Sequence, residues 1–185
     1  MKFACALSHA VVATLVMGAA TAAQVPPAPK PGPEHEVLKM DVGTWDAVVE
    51  VMAGPGAAPT KSTGVETNTL GCGGRCLITD FKGEMMPGQP FEGHGVTAYD
   101  PGKKKYVGSW TDSMSVGLSI AETTFAPATK KSTGRMEGPD MSGNVSRMKA
   151  TGEYTDADHR VFTMYAPGAT GNEAPTMRIT YTRRK

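Results

Sequence analysis

Aromatic and acidic side chains share one alternating pattern in the middle of the chain. Tyr106, Trp110 and Asp112 have the same parity, and side chains two residues apart point to the same face of a strand. Tyr99 joins this face if it lies opposite Tyr106 in a hairpin. The next strand adds Glu122 among apolar neighbours. We therefore predict one interior surface with an apolar body and a few polar groups, which is typical of a small-molecule pocket.

Two glycines accompany this face. The same register sets Gly95 opposite Trp110 and Gly93 opposite Asp112, and glycines inside strands mark places where something bulky approaches. Here the bulky group is the Trp110 indole, or a ligand stacked on it. In a second interpretation the rings fill a solid core and the carboxylates lie at its wet rim. In a third, Asp112 or Glu122 is the acid or base of a small-substrate enzyme, which requires carboxylates that converge in a cleft.

Cys72 and Cys76 bracket a three-residue turn, and we predict that they form a disulfide at the neck of a hairpin. A disulfide that closes so short a loop constrains little chain entropy, so its stabilisation is modest. The alternatives are a metal pair or a redox switch. The spacing is neither that of a thioredoxin-like motif nor that of a haem attachment site.

The histidines and methionines of the chain predict no metal site. His35 and His159 are expected to be exposed, and His94 faces away from Trp110 in the register above. A register slip of one residue would turn His94 inward as a haem or metal ligand. The methionines lie scattered over many predicted strands, a pattern that favours packing over Cu(I) binding. No cofactor is therefore predicted, with haem as the alternative.

The first 23 residues have the composition of a secretory signal peptide. Lys2 is followed by the largely apolar stretch 4–16 and by small residues at 20–22 that fit a cleavage site. We therefore predict a periplasmic or secreted protein. The full chain has 19 basic and 18 acidic residues, so no basic excess indicates a nucleic-acid partner. No second apolar run is long enough to span a bilayer.

Turn signals separate short alternating segments along the rest of the chain, a rhythm typical of an all-β sandwich or barrel. Residues 24–33 are a proline-rich lead-in, and residues 34–185 form one domain. Within it, Glu34 to Val42 is expected to form one or two helical turns. We predict an antiparallel up-and-down β-barrel of about ten strands, beginning at Trp45 and continuing near 62–70, 75–83, 91–99, 104–112, 116–125, 130–137, 145–154, 159–166 and 175–183. A longer connection is expected at Met85–Pro90.

Three segments carry a family resemblance: EHEVLKMDVGTWDAVVEV, GQPFEGHGVTAYDPGKKKYVGSWTDSM and MRITYTRRK. Together they resemble domain of unknown function 1579, a family whose name implies no activity. Gly43-Thr44-Trp45 also resembles the opening of calycin or lipocalin-like barrels. That resemblance implies a structural Trp45 that plugs the barrel beneath a basic side chain, Arg183 or Arg178.

Our leading functional hypothesis is therefore non-catalytic binding of a small hydrophobic molecule inside the barrel. The alternatives are the enzyme above and a solid structural or interaction module. The last of these predicts an exposed apolar patch or a partner interface. The sequence leaves the oligomeric state open.

Overall fold

The computed structural model describes residues 27–54, 57–167 and 172–185. The predicted signal peptide, residues 1–23, lies outside the described residues. One short helix, α1 (His35–Lys39), precedes ten strands. The strands are β1 (Gly43–Val51), β2 (Thr60–Gly71), β3 (Cys76–Met86), β4 (Gln89–Asp100), β5 (Lys105–Asp112), β6 (Ser119–Ala126), β7 (Lys131–Pro139), β8 (Val145–Tyr154), β9 (His159–Pro167) and β10 (Glu173–Arg183).

The ten strands form one closed antiparallel barrel in which each strand pairs with its neighbours in sequence. β10 closes the ring on β1, with Trp45 opposite Arg183 and Val49 opposite Ile179. The predicted fold class, an up-and-down barrel with a short N-terminal helix, is confirmed. Because closure pairs both edges of the sheet, no strand edge in the barrel is left unpaired.

The two ends of the barrel differ. The helix end carries α1 and the connections that follow β2, β4, β6 and β8. Here the residues after α1 are tied to the barrel: Trp45 Nε1 donates to the carbonyl of Asp41 (2.8 Å), and Arg183 Nη2 donates to that of Met40 (2.8 Å). The opposite end, which we call the loop end, carries the connections that follow β1, β3, β5 and β7.

The prediction that Cys72 and Cys76 form a disulfide is confirmed. The bridge closes the β2–β3 connection at the helix end, with the two Cα atoms 5.6 Å apart. Three successive residues of this turn have a left-handed backbone, Cys72, Gly73 and Gly74, with φ of 54°, 66° and 85°. Two glycines make this tight reversal possible because they have no Cβ.

Some boundaries differ from the prediction. The expected long connection at Met85–Pro90 is wrong, because β3 runs to Met86 and β4 begins at Gln89. Only Pro87 and Gly88 form the turn, and Gly88 supplies its positive φ of 79°. The predicted strand 116–125 begins later, at Ser119, and residues 113–118 form a loop. Within the described residues, no helix has the length and hydropathy to cross a membrane.

Candidate functional site

Side chains that point into the barrel divide it into a packed half and a less packed half. The buried core comes from β1, β3, β4 and β10 and consists of Trp45, Ala47, Val49, Phe81, Phe91, Ile179 and Tyr181. Inward side chains of β5, β8 and β9 are only partly buried along their whole length, and on β6 and β7 only Ser119 and Gly134 are fully buried. We call the space bordered by β5–β9 the lumen.

Four methionines point inward on the consecutive strands β7–β10, and we call them the methionine wall: Met136, Met148 and Met164, which border the lumen, and Met177, which lies beside it and packs against the core. Met136 lies directly opposite Met148, and Met164 lies opposite Met177. Met164 also pairs with Ala150, which makes Met148 its diagonal neighbour. Side chains in such positions are within reach of one another. All four are partly exposed, and all lie nearer the loop end.

The methionines do lie on many strands, as predicted, and Met85, Met114 and Met177 pack against the core. The pairing of Met136 with Met148 and of Met164 with Met177 was not predicted. Met136, Met148, Met164 and Met177 are far apart in sequence, but each occupies an inward position of its strand. The signal in the sequence is strand parity, because each of these methionines has the parity of the inward residues of its strand. Methionine is flexible and polarisable, so such a wall can adapt to ligands of irregular shape.

Trp110 lies flat against the barrel wall beside the lumen. A Cβ built on Gly93 would be 2.2 Å from Cζ2 of the indole, and one built on Gly95 would be 3.0 Å from Cε3. The predicted register, with Gly95 opposite Trp110 and Gly93 opposite Asp112, is confirmed. These two glycines therefore accommodate the ring, which also packs against the core.

Asp112 holds the indole in place. Its Oδ2 accepts a hydrogen bond from Trp110 Nε1 (2.9 Å), and its Oδ1 accepts one from the backbone N–H of Met114 (2.9 Å). Both carboxylate oxygens are thus engaged within the protein. The arrangement fits a residue that positions Trp110 and the start of the β5–β6 loop.

Tyr99 and Tyr106 lie at the helix end, away from Trp110. Four residues of extended strand separate Tyr106 from Trp110, which is about 13 Å. The two tyrosine rings are 5.3 Å apart, and the Tyr106 hydroxyl donates to the carbonyl of Glu34 (2.8 Å). Burial raises the pKa of Tyr106. The tyrosines therefore anchor the segment before α1, and the structure does not bring them together with Trp110.

Glu122 lies on the outer wall, so the prediction that it shares a face with Trp110 is wrong. Trp110 pairs with Ser119, which makes the odd-numbered residues of β6 face inward, and Glu122 pairs with Val107. Its carboxylate is bound by Lys103 (2.5 Å) and Lys105 (2.8 Å). Hydrogen bonds from both ammonium groups lower its pKa to about 2. Glu122 and Asp112 do not converge, and no acid/base pair results.

A buried polar network, the polar floor, closes the lumen toward the helix end and comprises Asp41, Glu66, Tyr154 and Arg160. Arg160 Nη2 donates to Glu66, and its Nε lies 3.3 Å from Asp41 Oδ1. The Tyr154 hydroxyl donates to the same Asp41 oxygen (2.6 Å). Burial raises the pKa of Asp41, against the opposing effect of Arg160, and burial also raises the pKa of Tyr154.

Trp45 lies between two guanidinium groups beneath this floor. Its ring centroid is 4.0 Å from Cζ of Arg183 and 4.7 Å from Cζ of Arg160, both within cation–π range. The structure thus places Arg183, one of the two candidates from the sequence, over the buried Trp45. Gly43 allows this approach: its φ is +122°, and a Cβ there would be 2.9 Å from Arg183 Nη1.

The described histidines lie outside the lumen. His94 is on the outer face, where its Nδ1 is 2.5 Å from Asp80, and His159 pairs with Asp156. His35 belongs to α1 and packs edge-on against Tyr99. None of these three is placed to ligate a group inside the barrel, so the register slip that the haem alternative requires is not present.

Two grooves of about 640 and 700 Å³ lie on the outer wall. The first borders the ion pair of Asp46 with Arg184, and the second borders the pair of Lys149 with Glu173. A charged ligand in either groove would have to displace an existing partner. We therefore regard the lumen as the candidate site.

Comparison with known proteins agrees with the fold. A family model described as "Protein of unknown function (DUF1579)" matches residues 30–183. Fifteen chains of known structure are similar. One is the crystal structure of Rv2717c from M. tuberculosis, with a TM-score of 0.62 and 11% identity over 83% of this chain and 99% of that one. Identity this low shows the fold alone. No curated protein matches the sequence.

Proposed function

We propose that this chain, which belongs to the DUF1579 family of proteins of unknown function, binds one small apolar molecule in its lumen. The observation that carries the proposal is the unequal packing of the barrel. Core side chains from β1, β3, β4 and β10 are buried, and Phe162 and Met177 pack against them, whereas Met136, Met148 and Met164 point inward but stay partly exposed. Inward apolar side chains that remain accessible to solvent favour a ligand there.

The chemistry of the lumen favours a ligand without formal charge in its buried part. Its charged side chains already have partners: Asp112 accepts two hydrogen bonds, and Arg160 is paired with Glu66 and Asp41. A buried charge on the ligand would find no free counter-ion among these groups, and its desolvation would be costly. A polar end of the ligand is better placed at the loop end.

A lumen-filling substitution tests this proposal. Ala150 points inward, pairs with Gly134 and Met164, and is partly exposed. If the lumen has room, Ala150→Phe is tolerated in stability but competes with the ligand. We expect the affinity for a neutral fluorescent naphthylamine probe to fall at least tenfold, which corresponds to about 1.4 kcal/mol.

Ala126→Phe is the matched control because Ala126 is exposed on the outer wall, at the end of β6. It should leave probe binding unchanged. The solid-barrel alternative makes the opposite prediction: Ala150→Phe would overpack the interior and lower the free energy of unfolding by about 1–3 kcal/mol. That loss, together with no probe binding by the unaltered protein, would refute the proposal. Native mass spectrometry of protein from its own source would identify a retained molecule.

We also propose that the protein works after export, in the periplasm or outside the cell. Two observations support this location: the composition of residues 1–23, and the disulfide between Cys72 and Cys76, a bond that is rare in reducing compartments. Fractionation of the source cells, with the N-terminus of the purified protein sequenced, tests it. A cytoplasmic protein that retains Met1 would overturn it.

A further inference from the structure

Strongly exposed apolar side chains are concentrated at the loop end of the barrel. The most exposed are Met141 (73%), Val145 (67%), Val116 (61%) and Leu118 (55%). They belong to the β5–β6 loop, the β7–β8 loop and the start of β8. Isolated exposed apolar residues are normal, but a contiguous group marks an interaction surface.

The β5–β6 loop lies close to the β7–β8 pair. Val145 lies opposite Pro139 in this pair. A Cβ built on Gly117, between Val116 and Leu118, would be 3.0 Å from Cγ of Pro139. The β5–β6 loop therefore lies beside the end of β7. We define the apolar rim as Val116, Leu118, Pro139, Met141 and Val145.

The connections at this end of the barrel carry almost no charge. Among the described residues of the four connections that follow β1, β3, β5 and β7, the only charged side chain is Asp140. Its carboxylate is held within its own turn by the N–H groups of Ser142 (2.8 Å) and Asn144 (2.9 Å). The connections at the helix end instead carry Arg75, Lys103, Lys104, Lys130, Asp156 and Asp158.

We propose that the apolar rim docks on the surface of a lipid bilayer. An uncharged apolar rim is complementary to the boundary between lipid headgroups and acyl chains, where apolar side chains insert without a counter-ion. This inference rests on the proposed function: the rim lies on one side of the loop end, along β5–β8, and the methionine wall lies toward the same end. A bilayer is the reservoir into which small apolar molecules partition. Docking would bring the lumen to its ligand.

Vesicle flotation tests the docking. Full-length protein is mixed with phosphatidylcholine vesicles, and the fraction that floats is measured at low salt and at about 0.5 M salt, where exposed charges are screened. We expect binding that salt leaves unchanged. Val116→Ser and Met141→Ser should each weaken it roughly tenfold, the factor that burial of an apolar side chain of this size contributes.

Val96→Ser is the matched control, because Val96 is also an exposed valine (45%) but lies on the outer wall of β4, away from the rim. It should float like the unaltered protein. Since all variants share the same N-terminal segment, any contribution of that segment to flotation is common to them. Equal flotation of the Val116→Ser and Val96→Ser variants would overturn the docking proposal.

Two further measurements separate this proposal from its competitors. Sedimentation equilibrium tests whether the protein forms a dimer. A dimer that Val116→Ser dissociates would assign the rim to a second copy of the chain and overturn docking on lipid. Binding of the naphthylamine probe is measured without vesicles, and Val116→Ser should leave it unchanged. In the unaltered protein, absent probe binding with intact flotation would refute the proposed function alone, and absent flotation with intact probe binding would refute the docking alone.

Discussion

Gly93→Ala is the substitution that most directly tests the geometry beside the lumen. The new Cβ would lie 2.2 Å from Cζ2 and 2.7 Å from Cη2 of the Trp110 indole, closer than folded proteins tolerate. The ring cannot yield without breaking its 2.9 Å hydrogen bond to Asp112. The indole would then have to swing from the wall into the lumen.

The expected cost follows from three contributions. Overpacking a well-packed site costs about 1–3 kcal/mol, and the lost hydrogen bond about 1 kcal/mol. Replacing glycine by alanine returns about 0.4–1 kcal/mol by restricting the unfolded chain. We therefore expect Gly93→Ala to lower the free energy of unfolding by about 1–4 kcal/mol. Because the displaced ring occupies the lumen, affinity for an apolar probe should fall as well.

A double-mutant cycle in urea identifies the cause of this loss. The free energy of unfolding is measured by circular dichroism for Gly93→Ala, for Trp110→Leu and for the double variant. If the indole is the obstacle, most of the cost of Gly93→Ala disappears in the Trp110→Leu background. Gly102→Ala serves as control, since its Cβ would meet only the carboxylate of Asp100 at 3.2 Å. An equal cost of Gly93→Ala in both backgrounds would refute the reasoning.

Three further predictions concern the charged groups. The carboxyl of Glu122 should titrate by NMR with a pKa of about 2, and Lys103→Ala should move it toward the ordinary value. Because the folded pKa is lowered, the stabilisation exists above the unfolded value of 4.5 and is lost as pH falls toward about 2. Arg160→Leu leaves the buried carboxylate of Glu66 and the partly buried one of Asp41 without their cation, and we expect about 3–5 kcal/mol of destabilisation in urea. A cost below about 1 kcal/mol would contradict the burial of the polar floor. Burial raises the pKa of Asp41 from 3.8, so its ionisation on folding opposes stability once pH rises above that value. Asp41→Asn should remove this pH dependence from denaturation curves, and an unchanged slope would contradict the assignment.

The features predicted correctly depend on neighbours in sequence. Alternation of polar and apolar residues located the strands, and turn residues such as Pro101 and Gly102 located the hairpins. In the β4–β5 hairpin the turn is short, and the register of Tyr99 opposite Tyr106 is confirmed. The disulfide follows from the same local logic, because a three-residue turn brings its two ends together.

The face of β6 on which Glu122 lies could not be predicted from neighbours in sequence. Residues 113–118 form a loop, so the parity of β6 depends on where the strand resumes after it. The strand resumes at Ser119, opposite Trp110. A difference of one residue in that position exchanges the inner and outer faces of the whole strand.

By itself the sequence predicted the number and order of the strands, most of the hairpin turns, the Cys72–Cys76 pair and the family. Only the tertiary structure decided that Met136, Met148, Met164 and Met177 form one wall, and that Arg160 meets Asp41 and Glu66. The physical reason is how far apart in the sequence the interacting residues lie. Strands and turns arise from interactions among residues a few positions apart, whereas contacts across the lumen depend on the register of every strand pair and on the closure of β10 against β1.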